Sequence, residues 1–176
     1  MARYVAFLRG INVSGQKLIK MEELRKHFEM PGFKNVVSYI QSGNVLFDAK
    51  ETDTAKLRAK IEKQLAAKLG YNVSVIVRSI DEIKQAIKRN PYPTTDAETE
   101  RKLYVTFLSD IPDKALHTSL DKYKAENEEF NIIDREVYLL LASYGNTKLS
   151  NAMIEKKLGL TGTTRNWATL NKILGL

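Results

Sequence analysis

Cysteine is absent from the 176 residues, which excludes disulfides and thiolate metal sites and fits a reducing compartment, so a cytoplasmic location is expected. Histidine is nearly absent: His27 and His117 lie 90 residues apart, with no spacing that a zinc site uses, so no metal and no cofactor are expected. Long hydrophobic runs are missing too. Five apolar residues, Tyr4 to Leu8, separate Arg3 from Arg9, too few for the core of a signal peptide. Nothing approaches the roughly 20 apolar residues that span a bilayer, so neither a cleavable signal nor an anchor is expected. The motifs of common catalysts are lacking as well: there is no G-x-S-x-G elbow, no phosphate-binding P-loop, no G-x-G-x-x-G fingerprint and no H-E-x-x-H zinc motif. The acidic pairs Glu22-Glu23 and Glu128-Glu129 are adjacent in sequence and read as solvent-facing, so catalysis is left open and unmotivated.

What is present is an ordinary globular composition, 43% hydrophobic and 28% charged, outside the signature of disorder. The net charge of +7 is uneven: residues 1–80 hold 14 Lys/Arg against 7 Asp/Glu, and residues 81–176 hold 14 against 14. Such asymmetry attracts polyanions. Lys56, Arg58, Lys60, Lys63 and Lys68, however, fall on one helical pattern, where a solvated face is the simpler reading.

Hydrophobic periodicity orders the first half as strand (Tyr4 to Leu8), helix (Met21, Leu24, Phe28), hairpin (36–40 and 45–47 around Gln41-Ser42-Gly43-Asn44), helix (Leu57, Ile61, Leu65, Leu69, stopped by Gly70) and strand (73–77). That is the βαββαβ order of a ferredoxin-like unit. The apolar run Tyr4 to Leu8 predicts a strand covered on both faces or central in its sheet. Ser79-Ile80-Asp81-Glu82 reads as a capping box opening a third helix, and Thr94 to Arg101 as a linker. The chain then restarts: Tyr104-Val105-Thr106-Phe107-Leu108 echoes Tyr4-Val5-Ala6-Phe7-Leu8 at an offset of 100. A helix with Pro112 in its first turn, a second hairpin around Asp134-Arg135-Glu136, a helix capped by Ser150 and a final helix from Trp167 follow, with no closing strand evident. Expected parts are therefore 1–79, ferredoxin-like; 80–101, helix and linker; and 102–176, an incomplete second ferredoxin-like part with C-terminal helices. Borrowing of the missing strand from the first part would intertwine the two. The fold class is α+β with antiparallel sheets.

In such a unit the end of the first strand and the 41–44 hairpin share one edge of the sheet. Arg9 and Asn12 are thereby placed near Gln41, Ser42 and Asn44, where the first helix also begins. Arg9 offers a fixed fork for carboxylate or phosphate, and Gly10, Gly15 and Gly43 permit close backbone approach. The competing reading is that these glycines satisfy turn dihedrals and that Asn12 and Asn44 bond local backbone. Thr163 or Thr164 is expected to cap the last helix. Arg165 in its first turn, followed by Asn166, then invites an anion at an already positive helix end, unless a carboxylate of the protein pairs with it.

The segments Arg9-Gly10-Ile11-Asn12-Val13, Tyr39-Ile40-Gln41-Ser42-Gly43-Asn44-Val45 and Thr163-Thr164-Arg165-Asn166-Trp167 closely resemble the uncharacterised bacterial family catalogued as domain of unknown function 1697. Arg135 to Leu139 and Gly145 to Leu149 extend the resemblance nearly end to end. The resemblance implies two intertwined ferredoxin-like parts and no assigned activity. The functional expectation from the residues is a small anionic ligand, phosphate or carboxylate, held by Arg9, Asn12, Gln41, Ser42 and Asn44 with Thr164, Arg165 and Asn166. The alternatives are a nucleic-acid binder, given the basic first half, and a protein-interaction module. Against the former, Asn44 to Asp48 lacks the aromatic pattern on which RNA-recognition sheets stack bases.

Overall fold

The computed structural model describes residues 1–94 and 100–176. The linker expected over 94–101 lies largely outside the described residues. The fold is α+β, with two four-stranded antiparallel sheets in two compact units, one of residues 1–84 with 173–176 and the other of residues 85–172.

The first unit runs β1 (Ala2–Leu8), α1 (Met21–Phe28), β2 (Phe33–Tyr39), β3 (Asn44–Ala49), α2 (Thr54–Leu69) and β4 (Val75–Ser79), with α3 (Ile80–Lys88) leaving it. Its sheet order is β2-β3-β1-β4, so β1 and β2 run in the same direction with β3 antiparallel between them. Each helix has local causes. The Asp53 carboxylate accepts from the N–H groups of Ala55 and Lys56 at 2.9 and 3.3 Å, which starts α2, and Gly70 ends it in the left-handed conformation. The capping box forms as the sequence predicts: the Ser79 hydroxyl accepts from Glu82 N–H and the Glu82 carboxylate accepts from Ser79 N–H. Leu57, Ile61 and Leu65 of α2 and Leu24 and Phe28 of α1 are buried in one cluster with Tyr4, Ala6, Val45, Phe47 and Val77. Val5 and Phe7, on the other face of β1, are buried too, as the doubly apolar run predicts.

The second unit contains β5 (Lys102–Leu108), β6 (Glu129–Ile133), β7 (Glu136–Leu141), α4 (Asn151–Leu158), β8 (Gly162–Asn166) and the start of α5 (Trp167–Ile173), with sheet order β6-β7-β5-β8. Two expectations are corrected here. The helix after β5 is a 3-10 helix, Lys114–Tyr123, capped by Asp113, so Pro112 precedes it. The second unit also does not lack its closing strand: β8 pairs with β5 from Tyr104↔Asn166 to Leu108↔Gly162, and no strand is borrowed. Residues 163–166 are polar, which hides the strand from an apolar pattern, yet two are β-branched threonines suited to a pleated surface.

With β8 in place, the repeat extends residue by residue. Val5 faces Arg78 as Val105 faces Arg165. Leu8 N–H donates to Gly43 O and Leu108 N–H to Arg135 O, both at 2.8 Å; Arg9 N–H donates to Ser74 O and Ser109 N–H to Thr161 O, at 2.9 and 2.8 Å. Glu62 accepts from Val75 N–H and Glu155 from Gly162 N–H, each at 2.9 Å. The two units are copies of one scheme.

Candidate functional site

The residues singled out in the sequence fall in both units: Arg9, Asn12, Gln41, Ser42 and Asn44 in the first, Thr164, Arg165 and Asn166 in the second. Within the first, Asn12 and Gln41 meet, through backbone. The Asn12 side-chain amide donates to Gln41 O at 2.9 Å and to Ile19 O at 3.1 Å, while its oxygen accepts from Ile19 N–H at 2.8 Å. Asn12 thus fastens the loop after β1 to the β2–β3 turn. Asn44 is fully buried and donates to Tyr39 O at 2.9 Å and to the Ser42 hydroxyl at 3.1 Å. Gly43 has φ +82°, and a Cβ there would lie 2.6 Å from Ile11 Cδ1. Glycine is needed at this position for the turn and for Ile11, which fills the space. Gln41 is exposed and Arg9 half-buried.

In the second unit, Thr163 and Thr164 do not cap the last helix and Arg165 is not in its first turn, because all three belong to β8. The cap is Asn166, whose side-chain oxygen accepts from Thr169 N–H at 2.8 Å. Arg165 is buried and donates to Thr163 Oγ1 at 2.8 Å and Thr164 O at 3.0 Å. Burial pushes its guanidinium down to about 10, with Tyr144 opposing the shift. The Thr164 hydroxyl joins Thr106 Oγ1 at 2.7 Å and Asn151 Oδ1 at 3.0 Å. These positions correspond to Val77 and Ala6 of the first unit, so a polar bridge here replaces an apolar contact there.

A cavity lies at the opposite end of the first sheet, where β1 begins. It holds about 460 Å³ and is lined by residues including Phe33, Lys34, Ala49, Lys50, Glu51, Lys56, Leu57 and Lys60. Three elements meet there because Phe33 and Ala49 pair across β2 and β3 and the chain then turns through Glu51 into α2. The floor is carbon: Phe33, Ala49 and Leu57 are buried, and the Phe33 ring stacks on Phe47 with centroids 4.3 Å apart. The walls are cationic. Lys56 and Lys60 stand one turn apart on α2, and Lys34 and Lys50 close the strand ends.

Local carboxylates leave most of that charge uncompensated. Glu51 Oε2 lies 3.9 Å from Lys56 Nζ, while its Oε1 accepts from the Thr52 and Asp53 N–H groups at 2.9 and 3.0 Å, so this one carboxylate faces four lysines. Asp48 is held by Asn35 Nδ2 at 2.6 Å and Arg3 Nη1 at 3.1 Å, and those two bonds keep its carboxyl below the ordinary range. Lys34 and Lys50 make no ion pair among the described residues. Lys60 Nζ sits 5.1 Å over the Phe33 ring and donates to Pro31 O. Gly32, at φ +92°, lets the chain turn beside it, with its absent Cβ position 3.7 Å from that ammonium. Lys56 and Lys60 are exposed, as the helical pattern predicts for a solvated face. The signal that marks them is their spacing of four in the first turns of α2, after Lys34 and Lys50 at the ends of neighbouring strands.

Among the described residues no group of three or more His, Asp or Glu side chains is arranged to hold a metal, and no helix is long and apolar enough to cross a membrane. No match is found among curated proteins. A solved structure, that of the conserved bacterial protein SP0830 from Streptococcus pneumoniae, is similar over 99% of this chain and 97% of that one, with a TM-score of 0.77 and 23% sequence identity. That likeness shows a shared fold. Residues 1–138, most of the chain, match the family described as protein of unknown function (DUF1697), and the chain belongs to that family.

Proposed function

We propose that this protein binds a small anionic ligand, a phosphate or carboxylate, in the cavity at the beginning of β1. The observation that carries the reading is the set of four lysines, Lys34, Lys50, Lys56 and Lys60, around one cavity with Glu51 as its lining carboxylate. A concave site with one sign of charge over a low-dielectric floor concentrates counter-ions and strengthens each contact. Arg9, Asn12 and the 41–44 turn stand outside this proposal, because none of them lines the cavity and the amides of Asn12 and Asn44 are committed to backbone.

Thermal unfolding at low salt with inorganic phosphate, pyrophosphate and citrate tests the reading. A ligand at 100 times its Kd stabilises by about 2.7 kcal/mol. The melting temperature of the wild type is expected to rise with at least one of the three and the rise to shrink as NaCl is added. The doubly substituted Lys34→Glu, Lys60→Glu protein is expected to lose the rise, and Arg9→Lys to keep it. An equal rise in the doubly substituted protein, or no rise with any of the three anions, contradicts the proposal.

A further inference from the structure

Resting on that reading, we infer that the ligand is an organic anion whose charged group is attached directly to an aromatic body, an aryl phosphate or aryl carboxylate, and not an inorganic ion. The juxtaposition of lysine and carbon in the cavity carries this. Its floor is formed by Phe33, Ala49 and Leu57, of which Phe33 keeps a small exposed part, and an inorganic ion leaves that part and the carbon stems of the surrounding lysines uncovered. A ligand with an apolar body covers it, and the gain grows with the area removed from water.

The volume of about 460 Å³ falls within the range of pockets that take whole organic molecules. The distances set how body and charge are joined. Lys60 Nζ lies 5.1 Å from the centre of the Phe33 ring, so cation and aromatic floor are neighbours, and a charged group joined directly to its body meets both. Phe33 already extends a stack through Phe47 to Tyr4, with centroid separations of 4.3 and 5.8 Å. A further ring at the Phe33 edge continues that stack in the offset or edge-to-face geometry aromatic pairs prefer.

Isothermal titration calorimetry on the full chain at constant ionic strength, with inorganic phosphate, hexyl phosphate and phenyl phosphate, tests the inference. Phenyl phosphate is expected to bind at least ~10-fold more tightly than inorganic phosphate and more tightly than hexyl phosphate. Lys60→Met keeps the carbon wall and removes the charge, and is expected to weaken phenyl phosphate about 5-fold or more. Phe33→Leu is expected to weaken phenyl phosphate by a larger factor than inorganic phosphate, narrowing the gap between the two. Should Phe33→Leu fail to fold, the ranking of the three ligands on the wild type and the Lys60→Met result decide alone. Equal affinity for inorganic and phenyl phosphate overturns the inference and leaves an anion site standing. Hexyl phosphate equal to or tighter than phenyl phosphate overturns the aromatic assignment, and undiminished binding by Lys60→Met overturns the location. Binding of none of the three overturns the anion site as well.

Discussion

Tyr138 carries its hydroxyl into the interior, where the carbonyl of Ala86 accepts from it at 2.6 Å. Burial, with Glu136 adding to it, pushes the phenol up to about 12, and burial likewise pushes Tyr92 up to about 12. The unfolded phenols ionise near 10. Between about pH 10 and 12 the unfolded chain therefore releases protons that the folded chain retains, so the contribution of these groups to stability is present below pH 10 and is lost as pH rises toward 12. Tyr138→Phe removes one of the two groups and leaves Ala86 O without this donor. Urea denaturation is expected to give a loss of about 1–3 kcal/mol at neutral pH and a shallower alkaline decline than in the wild type. The same residue scale explains why the site was only partly legible. Asn12, Ser42, Gly43 and Asn44 are types that serve both ligands and tight turns, and only the hydrogen bonds of Asn12 and Asn44 and the 2.6 Å approach at Gly43 show the turn using them. Lysines on a helix carry the opposite ambiguity, and Lys56 and Lys60 gain meaning only when Phe33 and Lys34 are brought beside them.

Among the elements, those with strong apolar periodicity were legible: β1, α1, the β2–β3 hairpin and α2 stand where Tyr4 to Leu8, Met21 to Phe28, the 41–44 turn and Leu57 to Leu69 put them. β8 was not, because Thr163 and Thr164 replace the Ile76 and Val77 of β4 ahead of an arginine common to both, and Thr164 meets hydroxyl and amide partners while Thr163 accepts from Arg165. Periodicity reads apolar residues and is blind to a strand whose contacts are hydrogen bonds. The 3-10 geometry of Lys114–Tyr123 was hidden too, since the spacing of Leu116, Leu120 and Tyr123 fits the α period, whereas at three residues per turn Leu116 leaves the face of Leu120 and is exposed. The repeat makes its own element-scale prediction. Glu62 of α2 and Glu155 of α4 each accept from the first N–H of the outer strand that follows, Val75 and Gly162. These charge-assisted bonds tie helix to sheet edge. Glu62→Ala and Glu155→Ala are each expected to destabilise by about 1–2 kcal/mol, and hydrogen exchange is expected to accelerate at Val75 in the first and at Gly162 in the second. Exchange unchanged at both amides contradicts the equivalence.

At the scale of the whole molecule, the charge surplus of the first 80 residues acquires a place. Lys34, Lys50, Lys56 and Lys60 supply four of its cations to one cavity, while Arg3 and Arg25 are engaged by Asp48 and Ser38. The α+β class was legible from element order, and the cavity was not, since it exists only where the ends of β2 and β3 meet the first turns of α2. The most direct measurement is a two-dimensional amide NMR titration of the full chain with phenyl phosphate. The perturbed backbone amides are expected to be those of residues 32–34, 49–51 and 56–60, moving in proportion to occupancy. Perturbation centred instead on Arg9 to Asn12 and residues 41–44, or no perturbation at saturating concentrations, would contradict the proposal.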